Sequence, residues 1–284
     1  MLEFILPPLV ASVVIVAIHS YLGLHILARG VIFVDLALAQ MAALGITVAL
    51  LVGVDHDSPT TLMYALAFTT FGALLFSVTR TERGGRVPQE AIIGLVFVIA
   101  SALSLLVADH VPEGGEAIKE VMVGNLLWVT WPVILRLAGI YLVLGVIQYA
   151  LRQRFITISM HPDRAQAQGW RIKWWDFLFY LLFGITITFS VQIVGVLLVF
   201  SFLVVPAAAA FQFTDHPARL TMIAWLVGLI ASAAGIAASF NWDLPTGPVV
   251  VASFGLTLVL AWILKRLLGR DTAREGSAPE PGSA

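Results

Sequence analysis

The sequence predicts an all-α protein, a polytopic bundle of about nine transmembrane helices with eight as the alternative count. Three observations carry that prediction. Of the 284 residues, 60% are hydrophobic and only 12% charged; apolar runs of spanning length recur along the whole chain; and basic residues gather in alternate gaps between them. Soluble domains average about 25% charged residues, so a water-soluble enzyme is excluded. A hydrocarbon core about 30 Å thick needs roughly 20 apolar residues per helix, so nine spans take about 180 residues and leave no room for a separate soluble domain.

The first run starts at MLEFILPPLV. It has no basic flank, carries Glu3 instead, and continues past the length of a signal-peptide core, so it reads as a retained first span at about 4–27. Charged residues and turn formers then delimit spans at about 31–53, 61–80, 91–109, 132–151, 176–193, 194–213, 220–240 and 247–267. Only Ser190, Gln192 and Gly195 interrupt the sixth and seventh, which read either as two spans or as a broken re-entrant pair. Pro206 is expected to kink the seventh, beside Ala207 to Ala210, which permit close helix approach. Residues 1–270 form one transmembrane domain, and the Gly, Ser, Pro and Glu composition of 271–284 predicts a disordered cytoplasmic tail.

Cytoplasmic loops retain Lys and Arg during insertion. Arg29, Arg80, Arg83, Arg86, Arg152, Arg154, Arg164, Arg171, Lys173, Arg219, Lys265, Arg266, Arg270 and Arg274 all follow odd-numbered spans; of the 16 basic residues only Lys119 and Arg136 fall elsewhere. The opposite loops carry Asp55, Asp57, Asp109, Glu113, Glu116, Glu120 and Asp243. The N-terminus is therefore expected outside and the C-terminus inside. Trp128, Trp131, Trp170, Trp174, Trp175 and Trp242 fall near span ends, where amphipathic rings suit the headgroup level.

Few residues within the spans carry chemistry. Asp35 is an ionisable group early in span two, where burial in hydrocarbon is costly unless it faces a cavity or a partner. It reads either as lining a pathway or as bonding a neighbouring helix or the Arg29 end. Gln40 lies five residues on, about 140° around the helix and about 7.5 Å along it, so one helix does not make the two a compact ligand pair. His19 and His25 sit on largely different faces of span one; each reads as an interhelical hydrogen-bonding group, with His19, the deeper, the alternative metal contact. The external sets Asp55, His56, Asp57 and Asp109, His110 have ligand-type side chains, but a solvated acidic loop is the simpler reading. The basic inner loop ITISMHPDRAQAQGWRIKWW predicts a short helix: Pro162 suits its first turn, Asp163 its positive end, and Gly169 its termination. Such a helix is either a docking knob or an element lying on headgroups.

The chain has no Cys, which excludes disulfides, thiolate metal sites and a cysteine nucleophile. A net charge of −1 gives no electrostatic reason to expect nucleic-acid binding. No G-x-x-x-x-G-K-[ST], H-E-x-x-H or G-x-S-x-G string occurs, so ATP, if used, binds another subunit.

Six segments, YLGLHILARGVIFVDLALAQMAALG, QEAIIGLVFVIASAL, VGNLLWVTW, HPDRAQAQG, VQIVGVLLVFSFLVVPAAAA and DLPTGPVVV, resemble in order the membrane permeases of the zinc and manganese ATP-binding-cassette importers, over about 21–251. The resemblance implies a transport subunit, not an enzyme, in the bacterial cytoplasmic membrane. It implies a homodimer that receives a divalent cation from an external solute-binding protein and is driven by cytoplasmic ATP-binding subunits. The cation is cargo rather than cofactor. Family members usually carry D-x-x-x-H in span two; aligned on Gly45, this chain has Gln40 at the histidine position and Asp35 one residue early, which makes these two the implied cation contacts. The family's inner-loop motif falls on His161, Pro162, Asp163, Ala165 and Gly169, the implied ATPase-coupling helix, with His161 replacing the usual acid. Glu90 matches an acidic position that supports the inner start of span four. Competing readings are a secondary transporter or channel without ATPase partners, and an importer whose cargo is iron or a metal chelate. No persuasive repeat relates the two halves, as the secondary transporter would require.

Overall fold

The structure, a computed structural model, describes residues 2–56, 58–80, 87–112 and 114–275. Regular structure among them is entirely helical. The helices are α1 (Leu2–Arg29), α2 (Val34–Leu51), α3 (Pro59–Val78), α4 (Gln89–Ala108), α5 (Gly114–Val123), α6 (Trp131–Ala150), α7 (Arg152–Met160), α8 (Pro162–Ala167), α9 (Ile172–Ala210), α10 (Pro217–Trp242) and α11 (Thr246–Glu275), with a 3-10 turn at Leu126–Trp128 between α5 and α6. Eight of them, α1 to α4, α6 and α9 to α11, are long and apolar enough to cross a membrane. α11 extends the last span to Glu275, into the stretch expected as tail; residues 276–284 lie outside the described residues, as do Arg83 and Arg86.

The 39 residues of α9 explain why the sequence allows both eight and nine spans. A straight helix of that length measures about 58 Å, nearly twice the hydrocarbon thickness. It is not straight: Gly195 has φ 76° and ψ 162°, a backbone conformation that residues with a Cβ rarely adopt. The contacts with α1 show that the chain doubles back there. Along the first arm, 172–194, Asp176 meets Arg29 and Ser190 meets His19. On the second arm, 196–210, Leu203 and Ala207 lie against Gly23, and Ala207 and Ala210 cluster with Leu24. A straight continuation would carry Leu203 about 20 Å beyond Ser190 instead. The break falls at Gly195, among the residues expected to divide the sixth and seventh spans, and the helix continues through Pro206. The run of alanines does what small residues are expected to do, letting the arm approach Gly23 closely.

Several packed pairs run antiparallel. Gly45 packs on Ala65 while Gly72 packs on Leu38 and Met41, so α2 and α3 are antiparallel. Trp225 Nε1 donates to Ala17 O at 3.0 Å and Gly228 packs on Val16, which sets α10 against α1. Ser253 Oγ donates to Ala231 O at 2.7 Å, which sets α11 against α10. α1 and α11 therefore run the same way, and the chain termini lie at opposite ends of the bundle. The most deeply embedded elements are α1, α2 and α9; α4, α6 and α11 form the periphery and expose Leu and Val along their length, as lipid-facing helices do.

Candidate functional site

At the end of the bundle that gathers Arg29, Arg80, Arg152, Arg154, Arg164, Arg171 and Lys173, two short helices stand between α6 and α9. α8 has Pro162 in its first turn, where the missing N–H costs nothing, and Asp163 at its positive end. Gly169, at φ 68°, ends it, and Trp170 N returns to Ala165 O at 3.1 Å. Ala165 is wholly buried against the rest of the protein, while His161, Asp163, Arg164, Gln166 and Gln168 are exposed. The helix predicted from HPDRAQAQG is thus present as a projecting element with Ala165 buried beneath it.

Beneath it, α7 ends in a polar network that the sequence reading missed. Ser159 Oγ lies 2.9 Å from His25 Nδ1 and accepts from Arg29 Nε at 2.8 Å. Arg29 Nη1 donates to Asp176 Oδ1 at 2.8 Å, and Asp176 Oδ2 pairs with Arg80. The Arg29 guanidinium also stacks 3.9 Å over the Phe179 ring. Asp176, an acid opening an apolar run, was the visible signal. Its partner also decides one of the alternatives for Asp35: the Arg29 end is bonded to Asp176 and not to Asp35.

The candidate cation contacts are not brought into one cluster. Asp35 is 1% exposed. Its Oδ1 accepts from Leu36 N at 2.7 Å, and its Oδ2 is buried without a partner. Glu90 reaches the same turn from α4, where Oε1 accepts from Phe33 N at 2.9 Å, and its Oε2 is likewise unpartnered. Glu90 therefore ties the start of α4 to the α1–α2 turn. Gln40, on a different face of the regular helix α2, is buried with Nε2 4.0 Å from Met122 Sδ of α5. His19 is wholly buried, with Nδ1 3.0 Å from Ile15 O and Nε2 3.0 Å from Ser190 Oγ, so both ring nitrogens are engaged. No group of three or more His, Cys, Asp or Glu is placed to hold a metal ion among the described residues.

At the opposite end, α5 and the turn after it, expected only as loop, press into the α9 bend. Gly124 (φ 66°) and Gly195 lie backbone against backbone, and Asn125 N donates to Ile193 O at 2.9 Å, satisfying a carbonyl freed by the bend. Beside this plug lies a cavity of about 310 Å³ lined in part by His56, Thr61, Arg136 and Gln192. Of the expected external set, His56 faces this cavity, and Asp57 lies outside the described residues.

An all-helical bundle with eight spanning-length helices among the described residues, its termini at opposite ends and a small helix projecting from one of them, defines a multi-pass membrane protein. The chain belongs to the ABC 3 transport family, matched over residues 1–265, and is thus the membrane permease of an ATP-binding-cassette system. It is 24% identical over 277 residues to the manganese transport system membrane protein MntC of Halalkalibacterium halodurans, covering 95% of this chain and 92% of that one. It is 27% identical over 240 residues to the chelated iron transport system membrane protein YfeC of Yersinia pestis, covering 84% and 79%. Its fold matches a chain of PsaBC from Streptococcus pneumoniae in complex with Fab, with TM-score 0.76 and 17% identity over 92% of this chain and 91% of that one.

Proposed function

We propose that this permease imports a divalent metal cation, zinc or manganese, across the bacterial cytoplasmic membrane. It works as a homodimer, receives the ion from an external solute-binding protein, and is driven by cytoplasmic ATP-binding subunits. The observation that carries this reading is α8: a helix with exposed polar residues and a buried Ala165, at the end of the bundle richest in Arg and Lys. That richness supports a cytoplasmic position for this end, which puts the C-terminus inside and the N-terminus outside. Manganese as cargo rests on the name of the MntC relative and zinc on the resemblance of the sequence motifs, while the similarity to YfeC gives iron or an iron chelate as the second reading.

ATP-driven closure of the partner subunits pushes on α8, and the dimer switches which side of its pathway is open. Asp35 contributes negative charge that lowers the cost of a dehydrated cation, and Gln40 a neutral oxygen that releases it. The test is uptake into vesicles carrying the whole complex. Asp35→Asn is expected to depress metal-dependent uptake, and unchanged uptake removes Asp35 from the mechanism. Ion flux by the isolated chain without ATP overturns the reading as a whole. Competition among zinc, manganese and iron in the same vesicles decides the cargo.

A further inference from the structure

We infer that Ser159 is the positioning residue through which α8 moves the transmembrane core. This rests on the proposed ATP-driven mechanism and names the route by which the push reaches the pathway. The single connection from α8 back toward α6 is α7, whose buried C-terminal turn holds Ser159 two residues before His161. One hydroxyl there serves two groups of α1. It accepts from Arg29 Nε at 2.8 Å and, with its own proton, meets His25 Nδ1 at 2.9 Å. The directions are consistent at both contacts: the guanidinium can only donate, and a neutral imidazole protonated on Nε2 presents Nδ1 as acceptor.

Arg29 hands the contact on. Its Nη1 donates to Asp176 at 2.8 Å at the start of α9, and Asp176 in turn pairs with Arg80 just beyond α3. A displacement of the α7 end is therefore delivered to α1, the first arm of α9 and the end of α3 at once. α1 and α9 are two of the three most embedded helices, and α9 bends at Gly195 against the α5 plug at the far end. α7 also meets the bundle through the buried Phe155 and Ile158, whose apolar surfaces slide, and through the Arg154 guanidinium over the Trp175 ring, a contact without a fixed hydrogen-bond direction. The directional, charge-assisted bond at Ser159 fixes register instead.

The experiment uses the complete complex in vesicles, with ATP hydrolysis and ion uptake measured together on zinc and on manganese. Ser159→Ala is expected to keep assembly with the ATP-binding subunits and to keep hydrolysis, while ions moved per ATP fall by about threefold or more, the scale of one lost hydrogen bond. Ser159→Thr, which retains the hydroxyl, is expected to restore the ratio. A purely structural role predicts instead that hydrolysis and uptake fall together as folded complex is lost, with the ratio unchanged. An unchanged ratio in Ser159→Ala, or a lowered ratio that Ser159→Thr does not restore, overturns the inference. If the wild-type complex itself shows no ATP-driven uptake, it is the proposed function that fails.

Discussion

His19 Nε2 and Ser190 Oγ meet at 3.0 Å in the apolar depth of the bundle, joining α1 to the first arm of α9. The Ile15 carbonyl, 3.0 Å from Nδ1, can only accept, so in the neutral ring Nδ1 carries the proton and Nε2 shares the Ser190 hydroxyl with the Thr186 carbonyl 2.7 Å from it. Tyr141 of α6 bonds the same hydroxyl, so one polar node fastens three helices. Hydrocarbon offers unpaired polar groups no water, which makes such nodes specific about helix register.

His19→Ala takes one partner from the Ser190 hydroxyl, which keeps Tyr141 and the Thr186 carbonyl, and empties the space of the imidazole. Thermal unfolding in detergent should show a loss of about 1–3 kcal/mol, from one buried hydrogen bond and the cavity left behind. Uptake per folded complex should survive. If uptake is abolished while stability is unchanged, His19 handles the ion rather than the fold.

At Gly195 the φ of 76° and the approach of Gly124 leave no room for a side chain. Gly195→Ala combines backbone strain of about 1–3 kcal/mol with a collision against the Val123–Gly124 backbone. The expected outcome is a sharp fall in folded yield on size exclusion, whereas Gly139→Ala, at an open site on α6, should be neutral.

These glycines show where the sequence stops being legible. The spans themselves follow from hydropathy, because each lipid-crossing helix needs its own apolar run. Ala165 and Gly169 were readable as parts of a short helix because capping chemistry is local. The doubling of α9 was visible only as an ambiguity, since a glycine amid apolar residues does not announce its φ. The Ser159, Arg29, Asp176 and Arg80 network was hidden for a different reason: its members are up to 147 positions apart, and nothing local pairs them. Asp35 and Gln40 stand five residues apart on α2, about 140° around an ideal helix, so any shared role in the pathway depends on neighbouring helices that the local sequence does not reveal.

Gln40 faces Met122 with an amide where an imidazole would offer a stronger ligand for zinc. Gln40→His is therefore expected to strengthen zinc binding by about tenfold or more, the scale on which ligand-sphere changes alter metal affinity. Vesicle uptake should show tighter half-saturation by zinc with slower turnover, and manganese much less affected. Equal effects on both ions would place Gln40 off the cation path.

Asp176 tests the inner network separately from Ser159. Its carboxylate has 1% of its side-chain surface exposed and faces two arginines, of which Arg29 is 6% exposed and Arg80 21%. Asp176→Asn leaves the guanidinium of Arg29 buried without its counter-charge, and breaking a buried pair in this way costs about 3–5 kcal/mol. Removing Arg80 instead, the more solvated partner, leaves Asp176 still paired with Arg29, and surface screening reduces its contribution to about 1 kcal/mol or less. Thermal unfolding of the two variants in detergent should therefore differ widely, with Asp176→Asn far the less stable. Combining Asp176→Asn with Arg29→Met removes both charges of the buried pair and should recover much of the lost stability, because an apolar side chain tolerates the site that an unpaired guanidinium does not. Equal losses for the two single variants would mean that the cluster is solvated at the membrane surface rather than built into the bundle.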